Sequence, residues 1–224
     1  MAWGTSKLYE LRDSDWGKGR VLILKSAWSD DFIKVIKHKN VSGIRLSGFM
    51  GWTDTNIDFL EGLSGLGLRS VEISKLSIKD ISPLQFLPDI EHIGLECEFT
   101  KAPDFSEFKS LTHFQVFWRT KARSVFNCTN LKHLNIVNYQ SENLEDMKKL
   151  INLERLLLIS RKLKSLAGID ALQKLKSLDL ANCYSLETID DIKKCPNLED
   201  VLIRGSRKLG DVSQFGNIVR IDNT

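Results

Sequence analysis

Apolar positions recur in one arrangement along most of the chain. Leu131-Lys-His-Leu134-Asn-Ile136, Leu153-Glu-Arg-Leu156-Leu-Leu158 and Leu175-Lys-Ser-Leu178-Asp-Leu180 are apolar at the first, fourth and sixth positions, and each opens a unit of 22 or 23 residues. Similar starts occur at Val41, Leu68, Ile90, Leu111 and Leu198, and Ile218-Val-Arg-Ile221 begins a ninth turn and stops. Self-similarity at such a period marks a solenoid, in which one small unit cannot bury its apolar face until a neighbour stacks on it. The alternation predicts one short strand per unit, and what remains of each unit leaves room only for short helical or 3-10 returns. The first unit is longer, and a helix over about Asp54–Leu63 would fill its return path.

Residues 1–40 do not carry the repeat. Lys7–Arg12 and Arg20–Lys25 are strand-like, and the turn formers of Asp13-Ser-Asp-Trp-Gly-Lys-Gly between them predict a hairpin. A helix should follow, with Ser29 as N-cap, Asp30 and Asp31 in its first turn, Phe32, Val35 and Ile36 on one face, and Lys37-His-Lys-Asn40 as a basic end. This segment sits where a solenoid needs its open end covered, and Trp3, Trp16, Trp28 and Trp52 are expected to fill core beneath it. The expected organisation is a cap over 1–40 and a solenoid of about eight units with a truncated ninth over 41–224, as one structural domain.

Over roughly residues 41–221 the pattern resembles the leucine-rich-repeat family. Ile78-Lys-Asp-Ile81-Ser-Pro-Leu84-Gln-Phe-Leu87-Pro-Asp-Ile90 is similar to the short 22-residue subtype of bacterial internalins and eukaryotic phosphatase-regulating repeats. The resemblance implies an α/β solenoid: a right-handed superhelix with a concave parallel sheet and short convex helical or 3-10 segments, in a bacterial protein. The family's ninth position is usually Asn or Cys, whose side chain satisfies backbone groups in the turn after each strand. Here it holds Phe49, Leu76, Glu98, Arg119, Tyr139, Arg161, Cys183 and Ser206, so other groups must close these turns.

Composition narrows the function classes. The chain is 42% hydrophobic and 27% charged, ordinary for a globular protein. It has no apolar run long enough for a membrane helix and no signal-peptide pattern, so it reads as cytoplasmic with no membrane partner. The 32 Lys and Arg against 29 Asp and Glu are interspersed, which disfavours nucleic acid. Cys97, Cys128, Cys183 and Cys195 fall in different units with no C-x-x-C pair, as expected of buried, reduced thiols.

If the first, fourth and sixth positions face the core, the third, fifth and seventh face outward on the concave side. The seventh-position column then carries Phe117, Val137, Ile159 and Ala181, with Trp118 beside it and Leu157 next in. Contiguous exposed apolar groups mark interaction sites. Their rim would be Glu72, Glu96, Arg155, Asp179, Asp200 and Arg204. His92, His113 and His133 share the third position in successive units, which suggests a pH-sensitive surface; the alternative, a metal site serving a metal-dependent enzyme, would need a fourth ligand that this column does not supply. Catalysis has little else behind it: Cys97 and His92 would stand roughly 16 Å apart on one strand, and no phosphate loop, H-E-x-x-H or G-x-S-x-G occurs. The expectation is a non-enzymatic module without cofactor that holds a protein on its concave face. By family analogy it would be a toxin-neutralising immunity protein or an adaptor, the alternative being a secreted internalin-like effector or adhesin.

Overall fold

The computed structural model describes residues 7–17 and 19–222; Trp3 and Lys18 lie outside the described residues. The chain forms two compact units, Met1–Leu111 and Thr112–Thr224.

The first unit opens with the expected hairpin, β1 (Tyr9–Asp13) antiparallel to β2 (Arg20–Leu24), with Tyr9 opposite Leu24. Helix α1 (Asp31–His38) follows and turns Phe32 and Ile36 inward. Ser29 sits one residue before the N-cap Asp30 but supplies the side-chain contact expected of it: its Oγ accepts the Asp31 N–H at 3.4 Å and its carbonyl the Phe32 N–H at 2.9 Å, while the Asp30 carboxylate takes the Trp28 indole N–H at 3.1 Å. Asn40, at φ 52°, ends the segment, as one of the few residue types that tolerate the left-handed region. Three strands then run parallel in chain order, β3 (Val41–Ser47), β4 (Ser70–Ser74) and β5 (His92–Glu96), with β3 also parallel to β2. The return between β3 and β4 is not the expected α-helix. It is a 3-10 segment over Asp58–Leu63, started by the Asn56 side chain accepting the Asp58 N–H at 3.2 Å. Gly62, Gly65 and Gly67 crowd its end, and glycine disfavours a longer helix.

The second unit repeats one pattern six times: β6 (His113–Phe117), β7 (His133–Val137), β8 (Arg155–Ile159), β9 (Ser177–Ala181), β10 (Asp200–Arg204) and β11 (Val219–Asp222), each parallel to its chain neighbour. The returns are 3-10, for example Thr120–Asn127, Glu145–Met147 and Asp190–Lys194. Leu134, Ile136, Leu156, Leu158, Leu178 and Leu180 are buried, so the expected register holds. Each such side chain removed from water contributes about 1.5–3 kcal/mol. A recurrent turn delivers the chain into each strand, with the N–H of Leu131, Leu153, Leu175 and Leu198 donating three residues back to the carbonyls of Cys128, Leu150, Leu172 and Cys195.

The turns that leave the strands lack the family asparagine and are closed by other groups. Ser160, one position earlier than the family residue, donates through Oγ to the Tyr139 carbonyl of the preceding repeat at 2.9 Å and accepts the N–H groups of Lys162 and Leu163, both at 3.1 Å. Tyr139 is fully buried and donates its hydroxyl to the Asn143 carbonyl at 2.8 Å. Asparagine does bridge repeats, but from the other end of the unit: Asn152 Nδ2 reaches the Thr129 carbonyl at 2.8 Å and Asn197 Nδ2 the Gln173 carbonyl at 2.7 Å. The four cysteines are buried and unbridged, and burial pushes the Cys183 and Cys195 thiols up to about 11.

Candidate functional site

On the outward strand face of the first unit, Arg45 and Glu72 stand on neighbouring strands and form a two-point ion pair, Nε to Oε2 at 2.7 Å and Nη2 to Oε1 at 3.0 Å. Beside them the Ser74 hydroxyl donates to Glu96 at 2.8 Å. Glu72, expected as part of a charged rim, is therefore neutralised within its own face, and Glu96 is held there by a neutral hydroxyl. His92 is buried beneath Trp16, whose ring lies 3.9 Å from the imidazole centroid to centroid. Trp16 belongs to the loop between β1 and β2, so the hairpin tip reaches the strand face. Trp16 thus departs from the expectation of core filling: it is 41% exposed and covers a histidine. Trp52, by contrast, is buried, and Trp28 stacks on Phe59 at 4.4 Å.

In the second unit Phe117, Val137, Ile159 and Ala181 are direct cross-strand partners on β6 to β9, and Asn135, Leu157 and Asp179 form the next row. Phe117, Val137, Leu157 and Ile159 are half-buried, their apolar atoms open to solvent on one side. Two expected members do not share this surface. Trp118 follows the strand and faces inward, buried against Phe126 at 5.1 Å and Tyr139 at 6.1 Å, so it is core of the turn. Ala181 is too short to rise above its neighbours Ile159 and Arg204 and is only 7% exposed. Arg155 stands exposed at one side of the patch. At the other, Arg204 Nη2 bridges both oxygens of Asp179, at 2.7 and 2.6 Å, and Arg220 pairs with Asp200 at 2.8 Å. Within the patch the Asn135 Oδ1 is shielded from solvent with no hydrogen-bond partner among the described residues.

His113 and His133 also stand side by side here, 4.1 Å apart, with His113 Nδ1 at 2.9 Å from the Thr112 hydroxyl. Burial, followed by the charges of His133, Lys132 and Arg155, holds His113 down to about 4. Burial also lowers His133. Among the described residues no group of three or more His, Cys, Asp or Glu side chains is placed to hold a metal ion, and no helix is long and apolar enough to cross a membrane.

No family model matches the sequence, and no curated protein matches it. Solved structures do. Internalin C2 from Listeria monocytogenes superposes with a TM-score of 0.64 at 19% identity, over 82% of this chain and 81% of that one. The leucine-rich-repeat domain of the type III effector XopL superposes with a TM-score of 0.67 at 18% identity, over 92% and 77%. The chain has a leucine-rich-repeat fold. Another internalin of the same Listeria strain, InlF, matches with a TM-score of 0.64 at 18% identity, but this chain spans only 55% of that one's length.

Two features of this leucine-rich-repeat chain escape a reading of the strand pattern. Phe49 is 97% exposed and Leu76 61% exposed at the ninth positions of successive units, where an apolar residue in place of the polar family residue was the available signal. The placement of Trp16 had no local signal, because it depends on where a loop outside the repeat comes to rest.

Proposed function

We propose that the chain is a non-enzymatic protein-binding module whose partner contacts the strand face of the second unit around Phe117, Val137, Leu157 and Ile159. One observation carries this reading: four apolar side chains lie in adjoining rows on successive strands, at positions the core pattern does not use. A solvated strand face is otherwise polar, and a contiguous apolar area rimmed by charge is what a partner covers. A sheet face of this kind suits a protein better than a small molecule, which needs deeper enclosure. The half-buried, mutually neighbouring His113 and His133 would then offer neutral imidazole donors and acceptors to the same partner.

A photo-crosslinking residue placed at Val137 tests the assignment against one at Lys149 on the return side. Adducts with a co-expressed partner should form from position 137 and not from 149; adducts from 149 alone would overturn it.

A further inference from the structure

The seventh-position column does not end at Ala181. Its next member in register is Arg204 on β10, and beyond that strand the chain turns through Gly205, Ser206 and Arg207 around a cavity of about 520 Å³. Three of the residues that line this cavity carry polar groups with unused bonding capacity. Ser206 is 8% exposed, and its hydroxyl is buried with no hydrogen bond among the described residues. The Arg204 Nε–H is likewise buried and unbonded, because the Asp179 ion pair uses Nη2 alone. Arg207 lies over the Tyr184 ring, 5.5 Å from its centroid, with no carboxylate paired to it among the described residues. Two N–H or O–H donors that have given up water and gained nothing are costly in a folded chain. The residues that carry them line the same cavity as Arg207, and a turn of the Ser206 and Arg204 side chains toward a ligand would let it replace the water they have lost.

We propose that this cavity binds a carboxylate of the protein partner, an Asp or Glu side chain roughly 10 Å beyond the residues that cover Ile159, two strand spacings along the sheet. The inference rests on the reading of the apolar patch as the partner's seat and adds the chemistry of that partner: an apolar segment followed by an acidic residue. A single negative charge fits better than a phosphate. The charge of Arg204 is already shared with Asp179, Asp222 stands beside Arg204 on β11, and among the described residues that line the cavity Arg207 alone remains to balance a newcomer. A carboxylate accepting from Arg204 Nε, the Ser206 hydroxyl and Arg207 would satisfy both orphaned donors with charge-assisted bonds.

The test has two arms on the full chain. In the first, sodium acetate is titrated at constant ionic strength against sodium sulfate, with the Arg204 Nε–H and Gly205 amide resonances followed by NMR. Acetate should give saturable shifts, weakened about tenfold in Arg207→Gln. Ser206→Ala should also weaken them while leaving thermal stability equal or higher, since the hydroxyl supports nothing in the fold. No saturable shift, shifts with sulfate alone, or shifts unaltered in both variants would overturn the site. In the second arm, random peptides displayed on phage are selected on the wild-type chain. Binders that combine an apolar run with Asp or Glu, and that are lost on Glu→Gln exchange, are expected. Acid-free binders, or none, would overturn the partner's carboxylate as the occupant. Phe117→Asp separates the two readings: it should abolish peptide binding and leave the acetate shifts intact, so the patch and the cavity fail independently.

Discussion

Single side chains take over tasks that the repeat pattern assigns elsewhere. Ser160 closes its turn and ties it to the preceding repeat through three hydrogen bonds, two of them from backbone N–H groups with the Leu163 N–H fully enclosed. Ser160→Ala would strand those donors, and a loss of about 2–3 kcal/mol is expected in urea unfolding; an unchanged midpoint would contradict this role. His113 carries a second expectation. Its imidazole is held down to about 4 by burial and then by neighbouring positive charge, whereas an unfolded histidine titrates near ~6.5. The stability contributed by the neutral ring is complete above that unfolded value and is lost as pH falls toward the folded one. The wild type should therefore lose stability between pH 6.5 and 4 faster than His113→Gln, and NMR should place the His113 midpoint near 4. A midpoint near the unfolded value would contradict the packing described. It also follows that His113 stays neutral through the mildly acidic range, so any pH sensitivity of recognition through it belongs well below neutrality.

At the scale of the repeat unit, glycine marks where neighbouring turns approach most closely. Gly168 has φ +98°, and a Cβ there would lie 2.7 Å from the Glu145 nitrogen and Leu144 carbonyl carbon of the preceding return. Gly168→Ala should cost at least about 2 kcal/mol, from the left-handed backbone and an obstruction made of main chain. Gly62→Ala, with open space around it in the 3-10 segment Asp58–Leu63, should be neutral or mildly stabilising. Calorimetry of both variants checks the pair, and equal effects would contradict it. This scale is also where the sequence is most legible. Strand positions follow from apolar periodicity because every unit must bury its first, fourth and sixth residues, and the observed cross-strand registers in each unit match that reading. The returns are less legible: a helix and a 3-10 segment share their first turns and differ mainly in the length the unit allows. Trp118 departs from its expected place because the periodic rule ends with the strand, and the chain rotates the next side chain inward. The Ser160 closure is hidden by a one-position shift from where the family keeps its polar residue.

For the whole molecule, balanced charge leaves no field of one sign to select a partner, so recognition falls to local surfaces. The two units offer different ones. The strand face of the first is occupied by its own ion pair and by Trp16 over His92. That of the second carries the open apolar patch, with a charged cavity at one end. Fold and register could be read from the sequence, but the occupancy of each face could not, since it depends on side chains that meet only after the chain has turned back on itself. The most direct measurement is the affinity of the full chain for a captured protein partner in the wild type, Phe117→Asp and Ile159→Asp, with circular dichroism confirming the fold of each. Both substitutions should weaken binding by at least about tenfold, whereas undiminished affinity in folded variants would contradict the placement of the partner on this face.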